Sequence, residues 1–316
     1  MATIDIRLAQ LDDTETISAL FRSRINVWQR LNAQGRAEDV PYAALTIYER
    51  YLHGGAWMSI ETAALHLGHL LHGAGLPLLV CVDGEIRAYA EAYHSSEPAP
   101  YGSHLHLGEL VIDAEQNGAG LVGALVKRLR TEAKSRECQR VTVSAVGSDT
   151  EAAAFYAHYG FAPLGQVARY MLSARTGQGL YRTVEHPAAD AAQITGWAMP
   201  AGRYASARQH WEQLWSPTFD ILPELRRQRT DRLHFSASGH EAFIHVRQQM
   251  YNARAADVSC WSPRTLSSQL LVALRDWAHR EGYRTLMLTV APEIVKTLTP
   301  EAEADGYTHA VYALEV

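Results

Sequence analysis

The chain has little cysteine, no long apolar run and no surplus of positive charge. Its three cysteines, Cys81, Cys138 and Cys260, are widely spaced and odd in number. They supply neither a disulfide framework nor a C-x-x-C motif, which implies a reducing compartment. The longest apolar runs, such as Leu76 to Val82, fall far short of the roughly 20 residues a membrane helix needs. The first twenty residues carry Asp5, Arg7, Asp12, Asp13 and Glu15, which is not the pattern of a secretory leader. A cytoplasmic protein with no membrane partner is therefore expected. Lysine plus arginine total 29 against 34 aspartates and glutamates, a formal charge of −5. Neutralising a phosphate backbone needs a basic face, so no nucleic-acid partner is expected. A small anion held by backbone amides is compatible with this balance.

What the chain does have is apolar material for two cores. Its 316 residues are 47% hydrophobic and 20% charged, an ordinary globular composition at twice the size of a ~150-residue domain. Ile4 to Leu8 alternates like a strand, and Asp12 or Asp13 can cap the helix that follows. Residues 42 to 73 read as helical. Leu76 to Val82 and Ile86 to Tyr93 read as strands joined by the tight turn Asp83-Gly84-Glu85. His104 to Asp113 is a further strand. A glycine-rich stretch then opens a helix with apolar residues at Leu121, Val122, Leu125, Val126, Leu129 and Ala133. Val141 to Val146 is the next strand, and Ala152 to Tyr159 a short helix stopped by Gly160.

A repeat organises the whole. Leu125 to Arg130 matches Leu270 to Arg275 in pattern at an offset of 145 residues, and at the same offset Val141 to Val143 falls on Leu286 to Leu288. With the polar, glycine-bearing Ala174 to Gly179 as boundary, this predicts two domains of one fold, 1–175 and 180–316. Each is of α/β order with a mixed sheet flanked by helices.

Asn117-Gly118-Ala119-Gly120 falls between a strand and a helix, where unpartnered N–H groups and the helix dipole suit a phosphate. There is no Walker lysine and no G-x-G-x-x-G at the first βα turn, which disfavours nucleotide hydrolysis and a Rossmann dinucleotide site. The run Glu109 to Val126 resembles the central motif of the GNAT N-acetyltransferase superfamily. Asp149 to Phe161 resembles that superfamily's N-x-x-A-x-x-F-Y-x-x-x-G-F segment. Asn117, Val122 and Asp149 depart from the residues the superfamily usually has.

The resemblance implies two tandem acyl-CoA N-acyltransferase (GNAT) domains, the second degenerate. It also implies acetyl-CoA (coenzyme A) as cosubstrate, with no metal. The coenzyme would lie along 109–113, its pyrophosphate on Gly118, Ala119, Gly120, Leu121 and Val122, with Asn117 and Asp149 nearby. The thioester would sit at the splay between this strand and 141–146. Its acceptor would be a primary amine of a small molecule or peptide, and homodimerisation is left open.

Such chemistry needs a base for the amine, an N–H donor for the oxyanion and an acid for the departing thiolate. Tyr156 of the F-Y pair is the candidate acid, and a strand amide near Val111 or Ile112 the candidate donor. His104 and His106 share a strand face and are candidate bases, His106 first because imidazole titrates near neutrality. Glu109 is the rival base, on the opposite face by period-two counting. His66, His69 and His72 read as a polar helix face rather than a zinc site. Trp28, Tyr42, Tyr48, Tyr51 and Trp57 suggest a partly aromatic acceptor pocket.

In the second half the glycine turn becomes Ser262-Pro263-Arg264-Thr265-Leu266-Ser267, and Phe155-Tyr156 becomes Pro300-Glu301. A non-catalytic acyl-CoA-binding, regulatory or interaction protein on the same scaffold is the alternative to an enzyme.

Overall fold

A computed structural model of the chain describes residues 3–113, 119–177, 179–186, 190–298 and 301–316. Strand β1 (Ile4–Leu8) leads into α1 (Thr14–Arg22). The short strands β2 (Gln29–Leu31) and β3 (Ala37–Asp39) and helices α2 (Ile47–Tyr51) and α3 (Ile60–His69) follow. Next come β4 (Leu76–Val82), β5 (Glu85–Ser96), β6 (Ser103–Ile112), α4 (Ala119–Ser135), β7 (Arg140–Val146), α5 (Thr150–His158) and β8 (Ala162–Ser173). After β9 (Tyr181–Glu185), β10 (Ala198–Ala201), α6 (Ala207–Leu214), α7 (Thr218–Ile221) and α8 (Pro223–Arg226), the same order returns. Its members are β11 (Thr230–Ala237), β12 (His240–Gln249), β13 (Asn252–Ser262), α9 (Ser268–Arg280), β14 (Thr285–Val290), α10 (Pro292–Leu298) and β15 (Glu303–Glu315). The series strand–strand–strand–helix–strand–helix–strand thus occurs twice.

Contacts define two compact units interleaved along the chain. One comprises Met1–Tyr93, Leu107–Glu132 and Gln213–Arg227; the other comprises His94–His106, Ala133–Glu212 and Gln228–Val316. In the first, β1 and β5 both run antiparallel to β4. Asp83 and Gly84 take φ of 50° and 86°, the left-handed pair that a two-residue hairpin requires. Asp13 caps from an unexpected place. Its carboxylate accepts from the Gln10 N–H at 2.8 Å and pairs with Arg7 at 2.7 Å, closing a one-turn 3₁₀ segment ahead of α1. The core joins Ile17 and Leu20 of α1 to Trp57, Leu67, Leu79 and Tyr89. Each such side chain contributes about 1.5–3 kcal/mol when fully buried.

In the second unit the strand order is β7-β15-β8-β14-β13-β12-β11-β9, with β10 beside β13. The last strands of the two series are exchanged. β15 lies between β7 and β8, with Tyr312 opposite both Val143 and Pro163, while β8 pairs with β14 through Met171↔Met287. Gly147 donates its N–H to the Thr308 carbonyl at 2.9 Å. The stretch read as a boundary is docked: Ala174 N–H reaches the Arg284 carbonyl, and Gly177 N–H reaches buried Asp276 at 2.8 Å. Asp276 also accepts from Tyr181 at 2.9 Å and pairs with Arg280 at 2.7 Å. No described helix is long and apolar enough to cross a membrane.

Candidate active site

Two groups of candidate residues lie in the first unit: Glu109, Val111 and Ile112 on β6, and Gly120, Leu121 and Val122 at the start of α4. Residues 114–118, including Asn117 and Gly118, lie outside the described residues, as does the side chain of Ala119. Gly120 is exposed, and nothing lies within 4 Å of where a Cβ would stand. Leu121 and Val122 are buried, so their side chains anchor the first turn of α4. Val111 is buried and Ile112 half-buried. Asp113, which follows, donates its N–H to the Arg87 carbonyl at 2.8 Å and pairs with the Arg87 guanidinium at 2.8 Å.

Glu109 is exposed, yet its carboxyl is pushed up to about 7 by desolvation and by the negative charge of Glu91, with His66 pulling the other way.

Glu91 itself is 1% exposed on β5. It accepts from Trp57 Nε1 at 2.6 Å, Tyr93 OH at 2.7 Å and Tyr89 OH at 3.2 Å. His66 Nε2 of α3 lies 3.1 Å away. Burial opposes charge on both partners. Their mutual attraction nonetheless holds the Glu91 carboxyl below and the His66 imidazole above their ordinary values.

His66 is thus no part of a solvated helix face. Trp57, 3% exposed, lies within the core, stacked on Phe21 at 5.4 Å and 7°. Sequence reading passed over Glu91 altogether. The signal was one carboxylate inside the otherwise uncharged run Ala88-Tyr89-Ala90-Glu91-Ala92-Tyr93, where an unpaired charge would be costly.

The remaining candidates belong to the second unit. His104 and His106 share a face of β6, as counted, and that face is buried: they are 1% and 2% exposed. His104 Nδ1 lies 3.0 Å from the Gly102 carbonyl; a carbonyl only accepts, so Nδ1 carries the hydrogen. Its Nε2 lies 3.6 Å from Glu97. His106 Nδ1 lies 2.9 Å from Thr142 Oγ1 of β7. Desolvation lowers His104 to about 4 and His106 to about 3. Both imidazoles are therefore neutral at pH 7 and weakly basic.

Asp149 caps α5, its carboxylate accepting from the Ala152 N–H at 2.8 Å. Tyr156 is half-buried on the same helix. Its ring centroid lies 5.3 Å from Phe155, 5.8 Å from Phe161 and 6.3 Å from Tyr312 of the exchanged strand β15. Among the described residues no group of three or more His, Cys, Asp or Glu side chains is placed to hold a metal ion.

Residues 42–161 match the model of the acetyltransferase (GNAT) family. A GNAT-family segment therefore lies within the chain. The matched segment contains Glu109, the turn into α4 and Tyr156. Among solved structures, the chain is similar over its whole length to 73% of a conserved protein of Enterococcus faecalis V583 described as a probable N-acyltransferase, with 14% identity and a TM-score of 0.57. A GCN5-related N-acetyltransferase from Anabaena variabilis aligns over 98% of this chain and 72% of its own, with 8% identity and a TM-score of 0.57. One from Kribbella flavida aligns over 99% and 71%, with 14% identity and a TM-score of 0.56. At these identities the likeness is one of GNAT fold. No curated protein matches the chain significantly.

Proposed function

We propose that this protein is an acyl-CoA-dependent N-acyltransferase that moves an acetyl group from acetyl-CoA to a primary amine of a small molecule or peptide. The observation that carries this reading is Glu109: an accessible carboxyl held near neutrality, on the strand that leads into the coenzyme-binding turn of the family motif. A base of that strength is half ionised where it must work, and still strong enough to accept a proton.

The residues present fit the coenzyme. The exposed backbone at Gly120 leaves room for a diphosphate at the first turn of α4, where the helix dipole favours negative charge. Acetyl-CoA supplies a thioester carbonyl. Glu109 takes the proton from the incoming ammonium, so that the neutral amine can attack. The Val111 or Ile112 N–H is assigned to the oxyanion. Tyr156 is assigned, by its place in the F-Y motif, to protonating the thiolate.

His104 and His106 suit structural roles better, because a buried imidazole titrating at about 4 or about 3 holds a proton poorly at neutral pH. Residues 1–175 and 180–316 are the two copies of the GNAT pattern on this reading, with only the first retaining the chemistry. A cytoplasmic setting fits three buried, unpaired cysteines.

The test is thiol release from acetyl-CoA with a panel of amines. Glu109→Gln is expected to lower turnover by about 10²–10⁴, and Tyr156→Phe to lower it also. Equal background rates for the parent and both variants, with coenzyme still bound, would favour the binding-module alternative.

A further inference from the structure

β13 and β14 run parallel and pair at Ala255↔Thr285, Ala256↔Leu286 and Asp257↔Met287. Two residues further along each strand, another piece of chain stands between them. β10 is antiparallel to β13, with Ala198 opposite Ser262 and Ala201 opposite Cys260. The next residue, Gly202, donates its N–H to the Thr289 carbonyl of β14 at 2.8 Å. One short segment therefore bonds to both arms of the fork.

Gly202 sits in the crotch. Its φ is +85°, and a Cβ there would stand 2.6 Å from Ser259 Cα and from the Val258 carbonyl oxygen, so the backbone approach needs glycine. The segment is anchored at both ends. Gly196 N–H reaches the Ser96 carbonyl at 2.8 Å, and Trp197 stacks on Phe243 at 4.9 Å. Beyond the crotch, buried Arg203 pairs with buried Glu97 and lies over the Tyr101 ring at 4.0 Å. Met199 and Ala201 between them are buried. The helix that follows β13 is closed as well: Ser267 Oγ accepts from the Leu270 N–H at 3.2 Å, and no glycine occurs between Ser262 and Ser267.

We propose that residues 198–203 permanently fill the fork between β13 and β14, the place in the second series that the thioester arm of an acyl-CoA would otherwise take, so that the second series binds no coenzyme. This rests on the preceding reading for where the coenzyme lies. The segment supplies what the ligand would otherwise supply: backbone hydrogen bonds to both diverging strands and apolar cover for their inner faces.

Three measurements on the full chain test it. Native mass spectrometry with coenzyme A is expected to show one ligand per chain. Hydrogen exchange over 198–203 is expected to be slow, and unchanged by saturating coenzyme. Ala201→Cys places a thiol opposite Cys260; facing residues of antiparallel strands have Cα atoms about 4.5–5.5 Å apart, within reach of a disulfide. The oxidised variant, with β10 locked to β13, is expected to bind coenzyme and turn over as its reduced form does.

Two ligands per chain would overturn the proposal. So would faster exchange over 198–203 on adding coenzyme, or a loss of binding on oxidation that reductant restores. No ligand bound, with 198–203 still slow to exchange, would overturn the proposed function and leave the filled fork standing.

Discussion

Lowering the pH from 8 to 5 separates Glu109 from the other candidate bases. With its carboxyl at about 7, the ionised fraction falls about tenfold per pH unit below that value, so kcat/KM at pH 5 is expected at roughly 1% of its plateau. A carboxyl at the ordinary 4.5, or His106 at about 3, would leave the profile nearly flat down to pH 6. The environment sets the sign of two further shifts. Glu91 raises Glu109 and His66 lowers it. Glu91→Gln should therefore move the limb to lower pH, and His66→Gln to higher pH. The assay is initial-rate thiol release with an acceptor amine that stays protonated across the range, so that the departure from the plateau reports the protein alone. A flat profile from pH 8 to 5, or the same limb in Glu109→Gln, would refute the assignment.

Other expectations follow from the packing. Glu91→Ala leaves buried Trp57 Nε1, Tyr93 OH and His66 without their acceptor and should cost about 3–5 kcal/mol in denaturant unfolding. The Glu91 carboxylate, held low, contributes stability above its ordinary 4.5 that is lost as pH falls through its folded value. The His66 imidazole, held high, contributes stability below 6.5 that is lost as pH rises through its folded value. The difference in melting temperature between parent and Glu91→Gln should thus be largest between those two pH values. Gly202→Ala combines a left-handed non-glycine residue with overlap on the Val258–Ser259 backbone and should cost about 2–6 kcal/mol; an unchanged melting temperature would contradict the crotch geometry. Tyr312→Ala removes a ring beside Tyr156 and should lower kcat more than the KM for acetyl-CoA, with Tyr312→Phe restoring the rate.

The elements of the fold were legible because each follows a local rule. A short continuous apolar run marks β4, alternation marks much of β5 and β6, Asp83-Gly84 marks a left-handed hairpin turn, and helical spacing marks α4 and its counterpart α9. The exchange of β8 and β15 was not legible, because strand partners depend on contacts more than a hundred residues apart. Neither was β10: Ala198 to Ala201 has no alternating pattern, and only its place between β13 and β14 gives it meaning.

At the site, the motif singled out β6 and α4, and the candidate bases were ranked by free imidazole chemistry. That ranking assumed solvent around His106. Burial reverses it, since desolvation penalises the charged imidazole and favours a protonated Glu109. Glu91 escaped notice and His66 was read as a polar helix face because neither lies in the motif, and their pairing joins residues 25 positions apart.

The central claim is that this GNAT fold uses acyl-CoA. Isothermal titration of the full chain with acetyl-CoA tests it most directly. A saturable heat with a stoichiometry near one per chain is expected; a flat titration at millimolar coenzyme would contradict it.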